Sequence, residues 1–171
     1  PTELAKLLVR LTVKNWSDTI LDCCCGTGTI PKEAIQIKKT QMTAKEAVET
    51  VWACDKNNYP LQVANISMTE PDTINIANRL FQHNALTLSI GEKITITNPE
   101  TGGNMILALP AFGAVVSNLP FVPFEIIPAD DKDEISKMPF VDILDGRSDL
   151  YCYIATKIAD VIKPEGTLGI I

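Results

Sequence analysis

The sequence predicts an α/β fold, a mostly parallel twisted sheet with helices on both faces. Three observations carry this. Short buried apolar runs alternate with segments of helical spacing, an order that gives parallel strands joined by crossover helices. Turn residues punctuate the boundaries between them. The chain, 171 residues with 46% apolar and 21% charged, is long enough to bury the core of one domain and too apolar to be disordered.

Leu4, Leu7, Leu8 and Leu11 recur at helical spacing, which predicts an amphipathic helix over 3–14. Asn15 to Asp18 breaks it, and Thr19 to Cys24 reads as a short buried strand. Gly26 and Gly28 supply the turn, and Pro31 suits the first turn of a helix reaching Lys39. A polar stretch with helical character, Thr43 to Glu49, leads to the apolar run Val51 to Asp55. Helical spacing returns at Leu61, Ala64 and Met68; Pro71 stops it, and a shorter helix is expected before strand-like Leu80-Phe81. Ile94 to Thr97 alternates, Asn98 to Asn104 is turn chemistry, and Met105 to Leu109 returns as a hairpin. Gly113 to Ser117 is a fourth central strand that ends at Asn118. Residues 122–146, rich in proline and acid, predict a long loop. Arg147 to Ile162 reads as a helix, and Pro164-Glu165-Gly166 turns into a last strand, Thr167 to Ile171.

Composition narrows the function. Fifteen basic against twenty-one acidic residues leave a net charge of −6. A domain that grips nucleic acid by bulk positive charge is thereby disfavoured, so a polyanion needs a local patch or another domain. No run of eighteen apolar residues and no signal pattern occurs, which argues against a membrane span and against secretion. Of five cysteines, Cys23, Cys24 and Cys25 are consecutive, which points their side chains to opposite faces and makes no disulfide framework. They read as reduced thiols of a cytoplasmic protein.

Ligands of open parallel sheets sit beyond the carboxyl ends of the strands. Four such ends carry unusual residues: Asp22 to Gly28, Asp55, His83-Asn84 and Asn118 to Phe121. These should converge on one crevice. The first loop, DCCCGTG, lacks the third glycine of a dinucleotide fingerprint and the lysine of a phosphate loop. Asp22 at its mouth would repel a phosphate and welcome a ligand with a cationic end, such as S-adenosylmethionine. Asp55 can accept both hydroxyls of a ribose, or it can cap the helix entered near Asn58. At Asn118, the side-chain oxygen and the Leu119 carbonyl can each accept a hydrogen of a planar exocyclic amine. Phe121 can stack on the base, and Pro120 stiffens the segment. Taken singly, each string is also explained by a plain strand-end turn.

Taken together, DCCCGTGTIPKEA, VWACD, FQHNAL, VVSNLPF and DLYCYIATKIADVIKPEGTLGII resemble the class I S-adenosylmethionine-dependent methyltransferases, with their Rossmann-like fold. More closely they resemble the adenine-N6 DNA methyltransferases, including the modification subunits of type I restriction systems. The resemblance implies that Thr2, Asp22, Cys23, Gly26, Gly28, Asp55, Asn84 and Ala85 line the cofactor site, with Leu86 near the adenine. It also makes Asn118, Leu119, Pro120 and Phe121 the catalytic string. It further implies DNA as partner, held through other domains, and a specificity subunit. Three departures stand out. Leu119 replaces a proline, which should loosen the loop; Asn84 replaces an aspartate; and the family's closing antiparallel hairpin is missing. The chain is therefore expected to be one catalytic domain, 1–171, of a larger protein, with the last strands cut short.

GTGTIPKEA and SNLPF also resemble the RNA guanine-N2 methyltransferases, whose target is again an exocyclic amine, and an inert cofactor-binding core is a third reading. No metal site is expected. His83 is the single histidine, and Asp130, Asp131, Asp133 and Glu134 lack the ligand alternation of a calcium loop. Trp16 and Trp52 read as packing residues, and Arg147 as a helix start.

Overall fold

A computed structural model describes residues 2–141, 144 and 147–171. The chain runs α1 (Thr2–Thr12), β1 (Ile20–Asp22), α2 (Thr29–Lys38), α3 (Ala44–Glu49), β2 (Val51–Asp55), α4 (Asn58–Met68) and β3 (Arg79–Gln82). It continues through β4 (Lys93–Thr97), β5 (Asn104–Ala108), β6 (Phe112–Ser117), α5 (Ala129–Ser136), α6 (Leu150–Ile158) and β7 (Ile162–Ile170). Five strands form one parallel sheet in the order β3-β2-β1-β6-β7, and β4-β5 is a separate antiparallel hairpin.

Neighbouring side chains on a strand point to opposite faces, and the apolar residues divide accordingly. Leu21, Trp52, Phe81, Phe112 and Val115 pack beneath α6 and the hairpin residues Ile94 and Ile96. Ile20, Val51, Ala114 and Val116 pack against α1, α2, α3 and α4 on the other face. Trp52 lies edge-on between Phe81 and Phe112, at 6.4 and 6.2 Å between ring centres, which is the packing role expected of it. Because strand order reverses between β1 and β6, the loops after these two strands leave in opposite directions. A crevice opens at that point.

Several expectations change. The first segment is a helix, but Ala5, Val9 and Thr12 are its buried residues, while Leu4, Leu7 and Leu11 are exposed. The reason is close approach. A Cβ on Gly169 of β7 would stand only 1.8 Å from Thr12 Oγ1, so the helix can dock only through its small side chains. No helix follows Pro71, where the chain makes turns. The expected loop 122–146 contains a 3-10 turn (Phe124–Ile126) and α5, with Asp130 and Asp131 in the helix's first turn, where the dipole favours acid. Its residues 142, 143, 145 and 146 lie outside the described residues. The helix expected from Arg147 starts at Leu150, and β7 starts at Ile162 instead of Thr167. The Pro164-Glu165-Gly166 turn is absorbed as an irregularity in the β6–β7 register, with Glu165 at a φ of 65°.

Lys38, which closes α2, is completely buried. Its Nζ donates to the Trp16 and Asp18 carbonyls at 2.7 Å each and to Thr50 Oγ1 at 2.8 Å. One ammonium thus ties α2 to the chain entering β1 and to the residue before β2. Burial pushes its pKa down to about 8, against the pull of Asp18. Lys38→Met would leave three acceptors without a donor, and should lower stability by about 2–3 kcal/mol. A urea titration should show this as a lower midpoint with an unchanged slope.

Candidate active site

β1 ends at Asp22, which is 2% exposed. Its Oδ1 accepts from the Ser117 hydroxyl at 2.7 Å and from Cys24 N–H at 3.2 Å. Its Oδ2 is buried and, among the described residues, has no partner. Burial pushes its pKa up to about 7; the bonds from Ser117 and Cys24 oppose this and the nearby Asp55 charge adds to it. The carboxylate is thus poised to take a cation.

The glycines that follow have different tasks. Gly26 adopts a φ of +51° and a Cβ there would meet nothing within 4 Å, so the backbone presents an open cradle. Its N–H donates to Asp55 Oδ2 at 3.1 Å. Gly28, at φ +85°, is pressed on α4, and a Cβ would lie 3.0 Å from Ala64 Cβ. Gly28 therefore lines neither of the cavities described next, although the motif resemblance put it there.

Two cavities meet at the carboxyl ends of the strands. The larger, about 590 Å³, is bounded by Cys23, Asp55, Asn84, Ala85, Leu86 and the segment Asn118–Val122, and also by Lys56, Pro128, Asp131, Leu150 and Ile154. The smaller, about 300 Å³, is bounded by Leu4, Ala5, Asp22, Gly26, Thr27 and Ile30. Cys24 and Asn118 border both. The four strand ends thus converge as expected, and Asn118 stands at the junction. Thr2 is exposed at the start of α1 and borders neither cavity; Leu4 and Ala5 of that helix do. A separate amide-rich cleft of about 280 Å³, between α4, β3 and the hairpin, contains none of the strand-end residues.

Asp55 accepts from Asn57 N–H at 2.9 Å as well as from Gly26, so it organises the entry of α4 and still has lone pairs to spare. Asn84 is more fully committed. Its Oδ1 accepts from Leu86 N–H at 3.0 Å, and its Nδ2 donates to Asp131 Oδ1 at 2.8 Å. Lys56 Nζ also reaches Asp131 Oδ1 and Asp130 Oδ2, at 2.7 Å each. Asp131 and Lys56 were missed by sequence reasoning. Acid just after Pro128 signals a helix start, but nothing local shows that the start faces a cavity.

The Asn118–Phe121 string is held more firmly than its missing proline suggests. Leu119 is 2% exposed, anchored in the core. Its N–H donates to the Ile171 carbonyl at 3.2 Å, a bond that proline could not make. The Leu119 carbonyl has no hydrogen-bond partner among the described residues. Phe121 is 68% exposed, with its ring centre 5.4 Å from that of Tyr151. The thiol of Cys24 is held far above the usual range, first by its bond with Cys23 and then by burial, and burial does the same to Cys25 and Cys54. None of the three is a ready nucleophile. His83 faces Glu92 and Thr87, away from the crevice.

The reversed strand order, the acid closing β1 and the glycine loop after it define a class I, Rossmann-like methyltransferase fold. The chain belongs to the family described as RMKL-like, methyltransferase domain, which residues 2–123 match. Among solved structures, TrmN from Thermus thermophilus has the same fold, with 18% identity and a TM-score of 0.55 over 99% of this chain. The chain spans 37% of that protein's length. No curated protein matches the sequence. The family matched is a methyltransferase family other than the adenine-N6 DNA group that the motifs resemble most closely.

S-adenosylmethionine is the cofactor that this family and fold imply. The residues fit it: the buried, unpartnered Asp22 Oδ2 suits its ammonium, and the open backbone at Gly26 admits its amino-acid part. Among the described residues, no helix is long and apolar enough to cross a membrane.

Asp22 and the two glycines each have measurable consequences. Its folded pKa near 7 lies above the ordinary 3.8, so the neutral carboxyl stabilises the ligand-free fold at low pH. That contribution fades as pH rises from about 4 through 7. Asp22→Asn should therefore raise ligand-free stability at pH 8, by on the order of 1–3 kcal/mol, with little change at pH 4. Cofactor affinity of the parent protein should meanwhile rise with pH up to about 8, read by calorimetry. For the glycines, Gly26→Ala should fold and bind cofactor at least tenfold more weakly, whereas Gly28→Ala should lower the melting temperature first.

Proposed function

We propose that this domain transfers a methyl group from S-adenosylmethionine to an exocyclic amine of a base in RNA, of the guanine-N2 kind. The position of Asn118 carries the reading: it borders both cavities, so a base entering over Phe121 and an amino-acid end beside Asp22 meet at its side chain. The smaller cavity takes the methionine end, Asp55 accepts the ribose hydroxyls, and the larger cavity takes the adenine ring beside Ala85 and Leu86. The family match and the fold shared with TrmN favour RNA over DNA as acceptor.

A bound S-adenosylmethionine would supply an electrophilic methyl on a sulfonium, whose leaving group is a neutral thioether. Asn118 Oδ1 and the Leu119 carbonyl each accept one hydrogen of the amine, turning its lone pair out of ring conjugation and toward the methyl. As the new N–C bond forms, the nitrogen becomes cationic, and both acceptors stabilise that charge. The surplus proton then leaves to solvent past the exposed Asn118. Phe121 and Tyr151 hold the base face, and fixing this geometry supplies much of the rate. Adenine-N6 transfer to DNA uses the same amine chemistry and is the second reading, supported by the motif resemblance alone. Under either reading, an acidic chain needs other parts of its protein to hold the polynucleotide.

Tritiated methyl transfer to RNA and DNA, measured with the full-length protein, tests the choice; label appearing in DNA alone would reverse it. Asn118→Ala should abolish transfer and leave cofactor affinity within about threefold. Asp55→Ala should weaken cofactor affinity by about tenfold or more, because a buried ribose contact is lost.

A further inference from the structure

We propose that Asp131, on α5, reads the amino group of the cofactor's adenine, and that Asn84 and Lys56 are positioning residues that hold it there. The inference rests on the placement of the adenine in the larger cavity proposed above. Asn84 stands at the strand end where the resemblance puts a cofactor-lining residue, yet each of its polar atoms is already held by a partner. Leu86 N–H takes its oxygen, and its amide nitrogen donates to Asp131 Oδ1 at 2.8 Å. Its one remaining N–H and lone pair belong to an amide whose orientation Leu86 and Asp131 already fix, which suits it to positioning.

Asp131 has what Asn84 lacks. Its side chain is only 5% exposed and borders the cavity. Oδ1 is fixed by Asn84 and by Lys56 Nζ at 2.7 Å, while Oδ2 has no hydrogen-bond partner among the described residues. The Lys56 ammonium, shared with Asp130, lies against Oδ1 and offsets its charge. An ionised carboxylate only accepts hydrogen bonds. It therefore welcomes the N–H of an amine and repels a carbonyl oxygen at the same ring position. Leu86, Pro128, Leu150 and Ile154 supply apolar walls for a flat ring beside it.

The test is the choice between S-adenosylhomocysteine and S-inosylhomocysteine, which differ by an amine against a carbonyl, titrated calorimetrically with the parent protein and two variants. The parent should prefer the adenine ligand by about 10- to 100-fold. Asp131→Asn should narrow that preference to about threefold, because an amide can turn its N–H₂ toward the carbonyl. Asn84→Ala should weaken the adenine ligand several-fold and keep the preference. Melting curves establish that each variant folds, and if Asp131→Asn does not, Asn84→Ala decides alone. A preference that survives Asp131→Asn, or one that vanishes with Asn84→Ala, overturns the assignment. So does a parent protein that binds both ligands equally, and in that case the cofactor site itself still stands. Binding of neither ligand by the parent protein would sink the cofactor placement as well.

Discussion

A single hydrogen bond spans the place where the sheet reverses direction. The Ser117 hydroxyl, at the end of β6, donates to the Asp22 carboxylate at the end of β1. Neighbouring parallel strands deliver these residues side by side, and their chains then part, one toward β2 and the other toward β7. The bond joins the two loops at their roots and leaves their tips free to surround a ligand. It also settles which carboxylate oxygen is satisfied and which stays open. Without this reversal, the glycine loop and the Asn118 segment would have no reason to share a cavity.

Three carboxylates around the crevice then acquire different characters from their surroundings alone. Asp22 is buried without a countercharge, and its ionised form is costly until a cation arrives. Asp55 is satisfied mostly by backbone N–H groups, which suits neutral hydroxyls. Asp131 is matched by an ammonium. Under the proposed assignment, these three aspartates would divide the parts of one extended ligand among them.

The sheet was legible in the sequence because each strand is marked twice, by an apolar run and by the turn residue that ends it. The same marks placed Asp22, Asp55, Asn84 and Asn118 at strand ends, where topology brings them together. What stayed hidden depended on neighbours distant in sequence. Leucines at 4, 7 and 11 outweigh Ala5 and Val9 on any hydrophobicity count, yet close packing on Gly169 reversed the face of α1. Gly28 has the composition of a ligand loop and is needed instead against Ala64. Asp131 sits in a stretch so acidic that solvent exposure was the natural expectation, until Lys56 and Asn84, more than forty positions earlier, buried it.

The anchor of the Asn118 loop has a consequence for how the protein is made. The Leu119 N–H finds its partner on Ile171, beyond β7, which the ribosome supplies after the other four strands described here, β1, β2, β3 and β6. During synthesis the earlier strands can pair among themselves while that loop is still untethered. The fixing of that loop therefore comes late, after the strands that carry Asp22 and Asp55 have been made.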